Sequence, residues 1–324
     1  MDAITRIKQL GMPRRNNELW TFFPVAKIPA PEFPDACTCS DDFAEENDFA
    51  ALLPVAQNAR TMVQNIADGS NEMAMLKCNN DFGHTVLNIG KNAKVSIEIL
   101  DNKVMHPICA ERFDVNVGEG ADVEIFFANP ANDLPLTFRH FRITQAAGSN
   151  VRFSAIERGN GITRVSIDAF LNAAGASFDA RTLNILGGES SSHHRLHIYH
   201  NAPETTSTQL SRNLLDGNAT ASYDGSVIVN ADCTKAFSSQ LVNTILLSEN
   251  SSVSVKPVLK IYHDDVECTH GNTVGELDAE QMFYLVSRGI PEKAARKMLM
   301  NAFAFDTFAP LPEGPAKKRL LQEI

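Results

Sequence analysis

Cys268 and His270 stand two residues apart in the stretch IYHDDVECTHGNTVGELDAEQMFYLVSRGI, residues 261–290. Read as a strand, its beginning puts Tyr262, Asp264, Val266, Cys268 and His270 on one face, with the thiol and the imidazole roughly 7 Å apart. A thiolate and an imidazole suit zinc or an iron–sulfur species rather than magnesium. Two ligands fall short of the roughly four that a closed site needs, so the remainder must come from elsewhere, such as a partner chain. The bland alternative is a buried cysteine and a histidine bonded to backbone. Cys37 and Cys39 form a bare C-x-C with no histidine near in sequence. In SSHHRLHIYH, a strand sends His193 and His197 to one face and His194 and His200 to the other, which splits the cluster into a polar solenoid face. Asp264 and Asp265 likewise point to opposite faces and make no ready acid/base pair. No phosphate loop, nucleophile elbow or H-E-x-x-H occurs.

The elements that must position these residues follow from the pattern of the chain. It has 324 residues, 44% of them hydrophobic, ample for a sizeable core. With 29 basic and 39 acidic residues the net charge is −10, a poor match for nucleic acid. The basic N-terminus is not followed by the apolar segment of a secretory signal, and no apolar run approaches the roughly 18 residues of a membrane span. Six cysteines scattered through so long a chain read as reduced thiols. The expectation is a cytoplasmic protein that meets neither nucleic acid nor membrane.

Residues 1–75 read as an N-terminal helical and linker region. Within it, residues 31–50 carry seven carboxylates, two prolines and no Lys or Arg, the composition of a solvated loop. From residue 76 to 275 short alternating runs recur around small corner residues: Ala93, Ala121, Ser149, Ala176, Ala219 and Ser251. The corners are spaced 28, 28, 27, 43 and 32 residues apart. Such a period without helical segments between strands predicts the stacked coils of a parallel β-helix, in which neighbouring coils bury one another's apolar faces. An antiparallel sandwich would favour Asn-Gly or Asp-Gly hairpins, and Asp216-Gly217 and Asp224-Gly225 are the good cases. After Gly275 the period becomes helical. Asp278 can cap a helix in which Met282, Leu285 and Val286 share a face. Gly289 stops it, and Pro291 opens a second helix with Ala294, Ala295, Met298, Leu299 and Ala302 on one side. Residues 276–324 are thus a C-terminal helical region, whose plainest role is to cap an open coil.

The stretch VKPVLKIYHDDVECTHGNTVGELDAEQMFYLVSRGI resembles the C-terminal signature of the SufB/SufD family, part of the SUF iron–sulfur cluster assembly scaffold. The likeness continues upstream through HIYHNAPETTSTQLSRNLLDGNATASYDGSVIV and SSQLVNTILLS, and GMPRRNNELWTFFPV is similar to the family's opening. The resemblance implies a right-handed parallel β-helix flanked by N-terminal and C-terminal helical regions. It implies a non-enzymatic scaffold subunit with a SufB-like partner and a SufC-like ABC ATPase that docks on the C-terminal helices, through Met282, Phe283, Tyr284, Leu285, Arg288 and Gly289. A homodimer in the absence of those partners is a further arrangement. SufB proteins carry a Cys near the position of Ser251 and a Glu where this chain has Gly271, so the chain reads as SufD-like. His270 then matches the SufD histidine that faces the SufB cysteine, and Cys268 a neighbouring SufD cysteine. No permanently bound cofactor is implied, only a transient cluster or iron at the junction that holds His270 and Cys268. Two readings compete: a β-helix carbohydrate-active enzyme, which would need a secretory signal as well as carboxylates and basic residues stacked along one solenoid face, and a homomeric structural solenoid.

Overall fold

The computed structural model describes residues 1–39, 41–78, 81–101, 107–132, 136–159 and 161–324. Among them, sixteen strands form two parallel eight-stranded sheets. In chain order the first eight are β1 (Thr61–Ile66), β2 (Asn71–Cys78), β3 (Phe82–Ile89), β4 (Lys94–Asp101), β5 (Cys109–Val117), β6 (Asp122–Asn132), β7 (Leu136–Gln145) and β8 (Asn150–Gly159). The others are β9 (Ile162–Leu171), β10 (Ser177–Leu186), β11 (Ser191–His200), β12 (Thr206–Leu215), β13 (Thr220–Val229), β14 (Ala236–Leu246), β15 (Ser252–Ile261) and β16 (Val266–Gly275). Odd strands make one sheet and even strands the other, each pairing in parallel with the strand one coil away. This is the expected β-solenoid. Its first strand begins at Thr61, upstream of the residue where alternation becomes legible in the sequence.

Parallel pairing in register stacks like on like. Phe113, Phe141, Phe127 and Phe153 pack in the lumen beside Ile97, Ile125, Ile143 and Ile167, all at most 3% exposed. Burying each such side chain stabilises the fold by about 1.5–3 kcal/mol. The corners Ala93, Ala121, Ser149 and Ala176 are buried and precede even strands, whereas Ala219 and Ser251 precede odd strands. The 43-residue gap is therefore a change of edge and not a longer coil. Side chains stacked on neighbouring coils stay 28 residues apart at Asn88–Asn116, 29 at Asn184–Asn213 and 31 at Asn213–Thr244.

Helices cover both outer faces. On the odd sheet lie α1 (Ala3–Leu10) and α2 (Phe49–Ala56), the latter buried at every residue. Trp20, Phe23, Phe43 and Phe49 fill the seam against Ala110, Leu136 and Phe138. The acidic stretch 31–50 belongs to this cover: Phe33, Cys37, Cys39 and Phe43 pack on the cluster, and Asp48 is 2% exposed. On the even sheet, α4 (Glu292–Phe308) and α5 (Pro315–Gln322) bury Ala304, Phe308, Ala316 and Leu320 against Phe126, Ile156, Leu183 and Leu214. The face of α4 that packs is not quite the expected one. Ala295 is buried, but Ala294, Met298 and Ala302 are exposed, and Phe303, Ala304, Thr307 and Phe308 carry the contact instead.

The C-terminal helices therefore run along a flank and do not cap the solenoid. At the end of the stack, among the described residues, β15 pairs only with β13 and β16 only with β14. Both strands are half-buried or exposed over their whole length.

Candidate functional site

Cys268 and His270 lie on β16, the last strand of the even sheet. In register, Cys268 faces Ser238 and His270 faces Gln240 of β14. Ser238 and Gln240 point into the lumen at 0% and 2% exposure, so the two candidates share the lumenal face, as their spacing predicts. They differ in environment. Cys268 is half-buried, packed with Leu259 and Val266 on Val227, Val229, Cys233 and Ala236. Burial pushes its thiol pKa up, so the neutral thiol dominates near neutral pH. His270 is exposed at the open end. Gly271 opposes Leu241, whose Cδ1 would sit 3.2 Å from any Cβ added there. Among the described residues no three metal-ligating side chains gather at one point, so this pair has no third ligand of its own. Beside the pair, Ile261 and Tyr262 are 40% and 65% exposed, and Val274 is 48% exposed. Two edge strands with free N–H and C=O groups and apolar side chains form a template for pairing with another chain.

The second candidate surface is α3 (Ala279–Ser287). Asp278 caps it by accepting from the backbone N–H groups of Glu280 and Gln281. Gly289, at φ +86°, ends it in a conformation that favours glycine. None of its residues is buried. Phe283 is 76% and Tyr284 58% exposed, Arg288 lies 5.3 Å from the Tyr284 ring centroid, and Met282 and Leu285 are half-buried.

The histidine cluster splits as expected. His193 faces outward and bonds Ser191 and Ser222 at 2.5 and 2.7 Å, while His194 faces the lumen and bonds Thr182 at 3.1 Å. His200 bonds Thr205 and Ser207 inside the lumen. Burial holds His193 down at about 3 and His194 and His200 at about 4, so all three are neutral structural groups near pH 7.

The outer face of the odd sheet carries what the carbohydrate-enzyme reading requires, and its chemistry argues against that reading. Asp114, Arg142, Asp168 and His197 form one row across four strands, beside a cleft of about 1050 Å3 under the N-terminal segment. The carboxylates are already engaged. Arg112 grips Asp114 at 2.9 and 3.0 Å, and Arg195 grips Asp168 at 3.0 and 3.0 Å. Burial alone would raise Asp168, but the charges of Arg195 and His140 bring it down to about 2. A carboxyl so strongly ionised is no general acid near neutral pH. Sequence reasoning missed this row because its partners lie on different coils. It also missed the lumenal amides of Gln209 and Gln240, which occupy positions where the alternation suggests apolar residues.

A family model described as SUF system FeS cluster assembly, SufBD core domain, matches residues 70–303. The iron-sulfur cluster assembly protein SufD of Escherichia coli (strain K12) is 29% identical over 216 residues, covering 66% of this chain and 50% of that protein. A SufBD family protein of Synechocystis sp. is 30% identical over 180 residues, 56% of this chain and 40% of that protein. SufD of Bacillus subtilis (strain 168) is 28% identical over 146 residues, 45% and 33% of the two chains. The matched region spans half or less of the length of these relatives.

Proposed function

The chain belongs to the SufB/SufD family, and from that premise we propose that it is a SufD-like, non-enzymatic scaffold subunit in iron–sulfur cluster assembly. Its open β15–β16 end pairs with a SufB-like subunit, and α3 receives a SufC-like ATPase. The observation that carries this reading is the uncapped end, where edge strands, an exposed His270 and a half-buried Cys268 meet without a third ligand. The cluster is cargo handled at the junction, where the partner supplies what this pair lacks. Cys268 is the weaker participant, because a thiol whose pKa is raised by burial is a poor nucleophile and ligand near neutral pH.

The projecting α3 supports the ATPase contact. Exposed aromatic side chains beside an arginine are the composition of binding hot spots, and leaving them in water serves no folding purpose. Cytoplasmic residence is part of the same reading. No helix among the described residues is long and apolar enough to cross a membrane.

The test is complementation in a strain that depends on the SUF pathway and lacks its own SufD. The wild-type chain, expressed with its cognate partners, restores cluster-dependent growth. His270→Ala leaves the fold intact and lowers cluster assembly at least about tenfold, while Cys268→Ala has a milder effect. Full complementation by His270→Ala would refute the assignment of the junction.

A further inference from the structure

The lumen beneath His270 contains a file of buried polar groups. It starts at Tyr223 on β13, 1% exposed among lumenal apolar side chains. Gly225, two residues on and facing the same way, makes room for the ring: a Cβ at 225 would lie 2.3 Å from Tyr223 Cε1. The ring crosses to the even sheet, where the Tyr223 hydroxyl donates to Gln209 Oε1 at 2.5 Å. Burial pushes the phenol pKa far up, so this group is a neutral donor throughout the physiological range. Its proton fixes which way the Gln209 amide faces, because a flipped amide would leave the hydroxyl hydrogen without this acceptor.

Gln209 Nε2 is buried without a partner, and so are both Oε1 and Nε2 of Gln240. Gln209, Gln240 and His270 are register partners on β12, β14 and β16. Adjacent rungs are about 4.8 Å apart, a gap that amide side chains of this protein bridge elsewhere. Asn184 donates to Asn213 at 2.7 Å and Asn213 to Thr244 at 2.9 Å, both running toward the open end. Gln209 and Gln240 make no such bond as they stand; with the same polarity, a rotation of the two amides would let Gln209 Nε2 donate to Gln240 Oε1 and would leave Gln240 Nε2 for the group above it, the His270 ring.

We propose that the file Tyr223–Gln209–Gln240 fixes the tautomer of His270, making Gln240 a positioning residue. The ring nitrogen that faces the lumen accepts from Gln240 and carries no proton. The other nitrogen carries it and faces out of the open end. His270 thus presents a hydrogen-bond donor, suited to an anionic sulfur such as a thiolate or sulfide, whereas a metal ligand would need its bare nitrogen outward. The sulfur acceptor rests on the cluster-assembly reading; the ring orientation rests on this chain alone.

The experiment is a long-range 1H–15N correlation on the full chain labelled with 15N-histidine, at a pH above the histidine range. The His270 signals are assigned by their loss in His270→Ala. The wild type shows a single neutral tautomer. Gln240→Glu, whose carboxylate only accepts, moves the proton to the other ring nitrogen. Gln240→Leu, which keeps the volume and removes the polarity, gives a mixture. A mixed tautomer in the wild type, or His270 signals unchanged in Gln240→Glu and Gln240→Leu, overturns the inference and leaves the cluster-assembly reading standing. Full complementation by His270→Ala overturns that reading and leaves the ring orientation standing.

Discussion

At the scale of single residues, the solenoid distinguishes histidines by depth. His193, His194 and His200 are neutral because burial opposes their charge, with pKa values of about 3, 4 and 4 against about 6.5 in the unfolded chain. Folded-state values below the unfolded ones mean that their contribution to stability is present above about pH 6.5 and is lost as pH falls toward 4. Near pH 5 the unfolded chain binds up to about three more protons at these sites than the folded chain. Burial also lowers His140 and His197, which adds in the same direction. The denaturant midpoint is therefore expected to drop steadily between about pH 6.5 and 4.5, and His194→Gln to lessen the slope by about one proton. A midpoint that stays flat over that window would show that the buried histidines are not held neutral. The sequence placed Cys268 and His270 on one face by period alone, which needs no tertiary knowledge. It could not tell that one is half-buried and the other exposed, because that depends on β16 being the last strand of its sheet.

The apolar stripe of the C-terminal region is divided between two tasks. The side of α4 with Phe303, Ala304 and Phe308 seals the even sheet, and α3 keeps Phe283 and Tyr284 in solvent. Removing residues 278–324 as a block would strip the cover from Phe126, Ile156, Leu183 and Leu214, so such a truncation confounds docking with folding. Point substitutions separate the two. Phe283→Ala with Tyr284→Ala should change folding stability by no more than about 0.5 kcal/mol, since both are exposed. It should weaken capture of a SufC-like ATPase at least about tenfold, as the loss of an aromatic hot spot does. Undiminished capture would move the docking site off α3. The helix boundaries were legible from Asp278, Gly289 and Pro291. The packed face of α4 was not, because Met298 and Ala302 compete with Phe303 and Phe308 for the same apolar signal.

The whole molecule is layered: N-terminal cover, odd sheet, lumenal core, even sheet, C-terminal cover. The period near 28 residues announced the two inner layers, and the corner residues failed only where they changed edge, at Ala219. The outer layers depend on contacts that no local pattern carries. Arg164 holds Asp48 from 116 residues away at 2.9 and 2.8 Å, both side chains 2% exposed, and its guanidinium lies 4.0 Å from the Trp20 ring centroid. An acidic stretch that reads as solvated is thereby drawn into the seam. Asp48→Ala would leave Arg164 charged and unpaired in that seam, a loss of about 3–5 kcal/mol. Equilibrium unfolding of the variant checks this, and a loss under about 1 kcal/mol would mean that the seam reorganises around the arginine. At the end of the stack, β15 and β16 remain open. Hydrogen–deuterium exchange of the chain, alone and with a SufB-like subunit, shows whether this end is the junction. Strong protection of residues 252–261 and 266–275 on addition of the partner is the predicted result, and binding without protection of those two strands would contradict it.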